Sequence, residues 1–300
     1  MNTSILLVGH GSRHTPGNDE INKFSEQWKS MNPQWRIETC FIEFSEIMLD
    51  QGLDNAAKDA ARVIVVPLIL NAAGHVKMEI PHHINKARER HSDVEFIYAK
   101  HLGANESIFN ILIRNLRKVM SSIDMPDPKT TGVIVLGRGA SDRTANGELA
   151  KIARWMFDET DHEHVDIAFT GITYPRLEAV VQQQVKLGMM QICILPYYLF
   201  TGTLIERIKR QVERLQQQYP QMSITCSHYF GFEPEIYTLL NQRVMQASAE
   251  DNSSQMMECD GCSYRQLAED SGHGHSHNHS NEHNHDHSHK HKENTAEVVA

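Results

Sequence analysis

The chain has 300 residues, 40% of them hydrophobic and 22% charged, which is the balance of an ordinary globular protein of roughly two domains. Its formal charge of −9 is unevenly placed: ten acidic and three basic residues from Glu250 onward hold −7 of it, leaving −2 on the preceding 249 residues. That balance lacks the basic excess of a nucleic-acid binder, and no apolar run approaches the roughly 20 residues needed to span a bilayer, so neither nucleic acid nor membrane is an expected partner.

The N-terminus runs straight into a strand, with no basic leader region or small-residue cleavage site, and the expected location is cytoplasmic. Strands are expected over 4–8, 36–42, 62–69 and 93–98, as short apolar runs such as VIVVPLIL. Helices are expected between and after them, over 17–30, 46–60, 77–90 and 104–121, on amphipathic spacing such as Ile108, Ile111, Leu112, Leu116 and Val119. The segment 122–131, with Pro126, Pro128, Asp124 and Asp127, reads as a linker. The pattern then restarts, with strands at 132–136, 164–170, 190–196 and 222–226 and helices at 143–157, 175–187, 203–218 and 234–247.

The restart is a repeat. Leu7–Ser12 (LVGHGS) aligns with Val135–Ala140 (VLGRGA) at an offset of 128 residues, and Phe41-Ile42-Glu43 with Phe169-Thr170-Gly171 at the same offset. Val66-Pro67-Leu68 aligns with Leu195-Pro196-Tyr197 at 129, and Gly74-His75-Val76 with Gly202-Thr203-Leu204 at 128. The expected fold class is therefore α/β: two tandem similar domains, 1–121 and 132–249, each a four-stranded parallel sheet flanked by helices. Residues 250–300 form a tail. Right-handed crossovers favour the strand order 2-1-3-4, which puts strands 1 and 3 side by side at a switch point.

That topology gives the short motif Gly9-His10-Gly11 a partner. His10 follows strand 1 and His75 follows strand 3, so both imidazoles enter one crevice, with Glu43 at the end of strand 2 as a neighbour. The corresponding positions of the second half are Arg138, Thr203 and Gly171, poor ligands for a divalent metal, so that half contributes a wall and a cation. Two neutral imidazoles and a carboxylate suit a borderline divalent ion (Co, Ni, Fe or Zn) and leave coordination positions open. Imidazole also accepts protons near neutral pH. Delivering a metal while removing two pyrrole protons is what loading a tetrapyrrole requires. Glu79 and His83 fall four residues apart and are expected as a solvated helix face.

Five cysteines, an odd number, argue against a disulfide framework. Cys40, Cys193 and Cys226 lie in or beside strands and are expected to be buried small hydrophobes. Cys259 and Cys262 form a C-x-x-C pair outside any βαβ context, half of a zinc or iron–sulfur site. Beyond them, His273, His275, His277, His279, His283, His285, His287, His289 and His291 alternate with polar residues. Such a tract has no apolar face, is expected to be disordered, and suits metal sequestration that raises the local metal concentration.

Leu6–Arg13 (LLVGHGSR), together with Gly74–Lys77 (GHVK) and Glu79-Ile80-Pro81, resembles the two site loops of the class II tetrapyrrole chelatases. The M-x-C-x-x-C at Met257–Cys262 and the His-rich tail resemble the long form of the CbiX family, the sirohydrochlorin cobaltochelatases of anaerobic cobalamin synthesis. The resemblance covers the whole chain. It implies Co²⁺ as the metal substrate and sirohydrochlorin as its acceptor, with His10 and His75 as metal ligands and proton acceptors. It also implies a 4Fe-4S cluster on Cys259 and Cys262; because only two cysteines are supplied, a bridged homodimer is the preferred source of the other ligands, with the His tail or another cysteine as alternatives. Arg13, Lys77, Arg138 and Arg207 flank the expected loops and are the expected partners of the substrate's carboxylates. Iron or nickel insertion, a metal-storage or metallochaperone role centred on the tail, and a small-molecule sensor are the competing readings.

Overall fold

The computed structural model describes residues 2–249. The Cys259/Cys262 pair and the tail histidines lie outside the described residues. In the first half, β1 (Thr3–Gly9), β2 (Arg36–Phe41), β3 (Arg62–Pro67) and β4 (Glu95–Tyr98) alternate with α1 (Thr15–Met31), α2 (Leu49–Ala57), α3 (Ile80–Arg90) and α4 (Glu106–Ser121). The second half repeats this with β5 (Thr131–Gly137), β6 (Val165–Phe169), β7 (Gln191–Pro196) and β8 (Ser223–Cys226), alternating with α5 (Arg143–Glu159), α6 (Leu177–Lys186), α7 (Thr203–Gln218) and α8 (Pro234–Ser248).

All pairings within both sheets are parallel, in the orders β2-β1-β3-β4 and β6-β5-β7-β8. The expected fold class and strand order both hold. The registers repeat as well: Ile5 pairs with Ile37, and Val133 with Val165, each partner 128 residues on. Within a strand, alternate side chains enter different cores because successive Cβ atoms point to opposite faces. Leu6, Val8, Val63 and Val65 pack under α2 and α3. Ile134, Leu136, Ile192 and Ile194 pack under α6 and α7. The other set, Ile5, Leu7, Ile64 and Val66 with Val133, Val135, Cys193 and Leu195, shares one continuous core across both halves.

That shared core comes from an exchange of helices. α4, the last helix of the first half, packs on β7, and α8, the last helix of the second, packs on β3. The two helices also pack on each other, and Arg114 of α4 bridges Glu233 and Glu235 at the start of α8 at 2.8 and 2.5 Å. Phe24 of α1 stacks on Tyr237 of α8 (4.2 Å between centroids), and the Trp28 indole N–H donates to Asn241 Oδ1 at 2.8 Å.

Three local differences from the sequence expectations have physical causes. Thr131, expected in the linker, is the fully buried first residue of β5, its hydroxyl donating to the Asp127 carbonyl or the Gln191 side chain. The helix expected from residue 77 begins with a π turn, His75–Glu79, in which the Ile80 N–H reaches the His75 carbonyl. Pro81 follows it and has no N–H to give to the carbonyl four residues back. Cys40 and Cys193 are fully buried as expected, whereas Cys226, near the end of the short edge strand β8, is only partly covered.

Candidate active site

The site starts at a glycine. After β1 the chain turns through Gly11, whose φ of +88° suits glycine. A Cβ there would lie 1.7 Å from the Glu43 carbonyl oxygen. Because nothing projects from Gly11, the loop after β2 closes on it, and the Glu43 N–H donates to the His10 carbonyl at 3.1 Å. This contact sets the Glu43 carboxylate beside the imidazole: Oε1 is 3.4 Å from His10 Nδ1.

His75 arrives from the loop after β3, the neighbour of β1 in the sheet. Its ring meets that of His10 edge to face, centroids 4.8 Å apart at 78°. One ligand atom from each of His10, Glu43 and His75 lies within 4.8 Å of the others, the metal-competent group of the described residues. The π turn places Glu79 four residues on, where Oε2 is 2.5 Å from His75 Nδ1. This carboxylate holds the Nδ1 edge of the ring and leaves Nε2 as the nitrogen that can act as a ligand.

Glu79 and His83, expected together as a solvated helix face, each take a different partner. His83 Nδ1 meets Asp50 Oδ1 at 3.0 Å. The spacing from His75 to Glu79 was the available signal, and it requires knowing that a helical turn begins at residue 75.

The two imidazoles are set apart electrostatically. Burial, helped by the neighbouring His75 and Arg138, lowers the His10 pKa from 6.5 to about 4. His10 is therefore neutral at physiological pH. For His75, the hydrogen bond to Glu79 outweighs burial and raises the pKa above 6.5. Arg138 Nη1 stands 3.1 Å from His10 Nε2 and can only donate, so Nε2 is the acceptor and Nδ1 carries the proton towards the Gly11 carbonyl at 3.1 Å. The His10 Nε2 lone pair thus faces the Arg138 guanidinium.

The four cationic side chains expected at the site are placed differently from one another. Arg138 joins the cluster. Lys77 lines the cleft, but its ammonium is 2.5 Å from Asp142 Oδ2, while Asp142 Oδ1 caps α5 by accepting from the Thr144 N–H at 2.8 Å. Arg13 packs over the Phe44 ring at 4.8 Å, outside the cleft lining. Arg207 donates to the Thr170 carbonyl.

The cleft itself has a volume of about 1110 Å³ and is bounded by His10 and His75 on one side and by Arg138, Ile172 and Tyr197 on the other. It is large enough for a bulky organic ligand. The described residues therefore define a duplicated α/β protein whose inter-half cleft is lined by two histidines that, together with Glu43, could hold a metal ion.

The CbiX family model matches residues 4–119 and again 132–247. The chain belongs to the CbiX family. It is 38% identical over 265 residues to the sirohydrochlorin cobaltochelatase of Priestia megaterium, spanning 87% of this chain and 84% of that protein. It is 30% identical over 269 residues to the sirohydrochlorin ferrochelatase of Bacillus subtilis strain 168, spanning 89% of this chain and 100% of that one. The solved structure of SirB from Bacillus subtilis with Fe³⁺ superposes with a TM-score of 0.74 at 28% identity, over 85% of this chain and 99% of that chain.

Proposed function

We propose that this protein is a metal chelatase that inserts Co²⁺ into sirohydrochlorin, a polycarboxylate tetrapyrrole, in cobalamin synthesis. The observation that carries the reading is the joining of His10, Glu43 and His75 beside a cleft that the two histidines line and that is large enough for a macrocycle. Similarity to relatives named for both cobalt and iron insertion supports the reaction class, and the higher identity to the cobalt relative supports the metal.

Insertion exchanges one dication for two pyrrole protons. The imidazoles of His10 and His75 and the Glu43 carboxylate hold the ion and leave coordination positions open for the pyrrole nitrogens. As the ion passes to the ring, the ligand lone pairs are released and can take up the departing protons. His75, backed by Glu79, is the stronger base of the two imidazoles.

Iron is the second reading, because the same ligand set suits Fe²⁺ and the Bacillus subtilis relative is named a ferrochelatase. Following sirohydrochlorin absorbance with Co²⁺, Fe²⁺ and Ni²⁺ separates these. The proposal predicts the fastest turnover with Co²⁺, and faster turnover with Fe²⁺ overturns the metal assignment. The iron–sulfur reading of Cys259 and Cys262, with its bridged homodimer, rests on sequence. Absence of cluster absorbance after anaerobic reconstitution removes it.

A further inference from the structure

We infer that the second half carries a carboxylate-binding subsite at the place where the first half holds its metal ligands. The inference rests on the tetrapyrrole-chelatase reading for the identity of the ligand, but its geometry stands independently of it.

The internal repeat supplies the comparison. The turn after β5 has the same construction as the turn after β1: Gly139 has φ +86°, and the Gly171 N–H donates to the Arg138 carbonyl at 3.0 Å. The bridge between Phe41 and Met48 is repeated between Phe169 and Arg176. The backbone frame is thus conserved while its side chains change. At the 128-residue offset, His10, Glu43, His75 and Glu79 become Arg138, Gly171, Thr203 and Arg207, and Met48 becomes Arg176. Two imidazoles and two carboxylates, a set that attracts a cation, are replaced by a set with three guanidinium groups and no acid.

The guanidinium groups converge where the carboxylate is missing. A Cβ on Gly171 would have nothing nearer than the Arg138 carbonyl at 3.7 Å, with Arg176 Nη1 at 3.9 Å and Arg207 Nη2 at 4.0 Å. Arg176 Nη1 is buried without a hydrogen-bond partner, a costly state for a cationic donor. Its plane is held over the Tyr174 ring at 4.6 Å. Arg207 lies in the second turn of the 16-residue helix α7, whose N-terminal end adds positive partial charge. Planar guanidinium donors on two sides of an open position suit a carboxylate. One carboxylate of the substrate takes the place that the Glu43 carboxylate occupies in the first half. Arg138, which also donates to His10, stands between the two sites.

Arg176→Gln and Gly171→Glu test this against wild type. Thermal unfolding is followed with and without succinate, in the absence of metal and tetrapyrrole. KM for sirohydrochlorin and Co²⁺ affinity are measured alongside. Succinate is expected to stabilise the wild type and to lose that effect in both variants. Gly171→Glu is expected to unfold at a higher temperature than wild type without succinate, since its own carboxylate reaches the two guanidinium groups. It also keeps the test alive if Arg176→Gln does not fold. KM is expected to rise about tenfold, the equivalent of one charge-assisted hydrogen bond, with Co²⁺ affinity within twofold. Variants that respond to succinate and bind sirohydrochlorin as wild type does overturn the inference, as does a wild type indifferent to succinate. If wild type inserts no metal but the succinate effect depends on Arg176, the anion site stands and the chelatase reading fails.

Discussion

His10 and His75 are the same residue type in one cluster, yet their surroundings give them different proton affinities. Burial and two cationic neighbours keep His10 neutral down to about pH 4, whereas Glu79 holds His75 above its ordinary value. Proton competition for the metal therefore falls on His75. Co²⁺ affinity should weaken as the pH falls through the raised His75 pKa, above 6.5. In Glu79→Gln the midpoint of that dependence should move to lower pH, because the group that favours the imidazolium is gone. The alkaline plateau of affinity should drop by about 10–100-fold, the usual effect of losing a second-layer carboxylate. Co²⁺ titrations across pH check both, and a midpoint that stays or rises contradicts the assignment. His10, Glu43 and His75 were legible in sequence because each sits at a strand end and the strand order brings those ends together. The role of Glu79 was not, because a π turn has no sequence signature comparable to a cap or a glycine turn. Arg176 was also missed, since its meaning emerges only when the repeat is compared at the level of side-chain geometry.

Among the elements, the π turn and the start of α5 are joined across the cleft by Lys77 and Asp142. Burial opposes ionisation of Asp142, but hydrogen bonds from Lys77 and from the Thr144 N–H hold its carboxyl below the ordinary value. A depressed folded-state pKa contributes stability that is fully present above the unfolded value, about 4, and is lost as the pH falls through the folded one. Both side chains are at most 10% exposed, so removing one partner strands a buried charge. Lys77→Met should cost about 3 kcal/mol near neutral pH, and the deficit relative to wild type should shrink on acidification. Denaturant unfolding at pH 7 and pH 3 measures this, and an equal deficit at both pH values would falsify it. The expectation of Lys77 at the substrate's carboxylates came from its position near the site loop. Sequence shows that a lysine is near a loop, but not that an aspartate 65 residues later reaches it.

For the whole molecule, the exchange of α4 and α8 makes the halves one folding unit despite their origin as a repeat. The eight strands, their order and the duplication were readable from apolar runs and a constant offset. The exchange was not, because an amphipathic pattern shows that a helix buries a stripe without showing which sheet receives it. With one core running through both sheets, calorimetry should record a single unfolding transition. Two well-separated transitions would mean that the shared core does not couple the halves. No helix among the described residues is long and apolar enough to cross a membrane. The same exchange joins the half that carries His10 and His75 to the half that carries Arg138, and these residues line the cleft together. The most direct measurement is the initial rate of Co²⁺ insertion into sirohydrochlorin, followed by absorbance, for wild type, His10→Ala, His75→Ala and a chain lacking residues 273–291. The cleft account predicts a loss of at least about 100-fold in each alanine variant, from lost metal ligation and proton acceptance together, with a mild effect of removing the tail. Alanine variants that turn over at the wild-type rate, with activity lost on removing the tail, would contradict it.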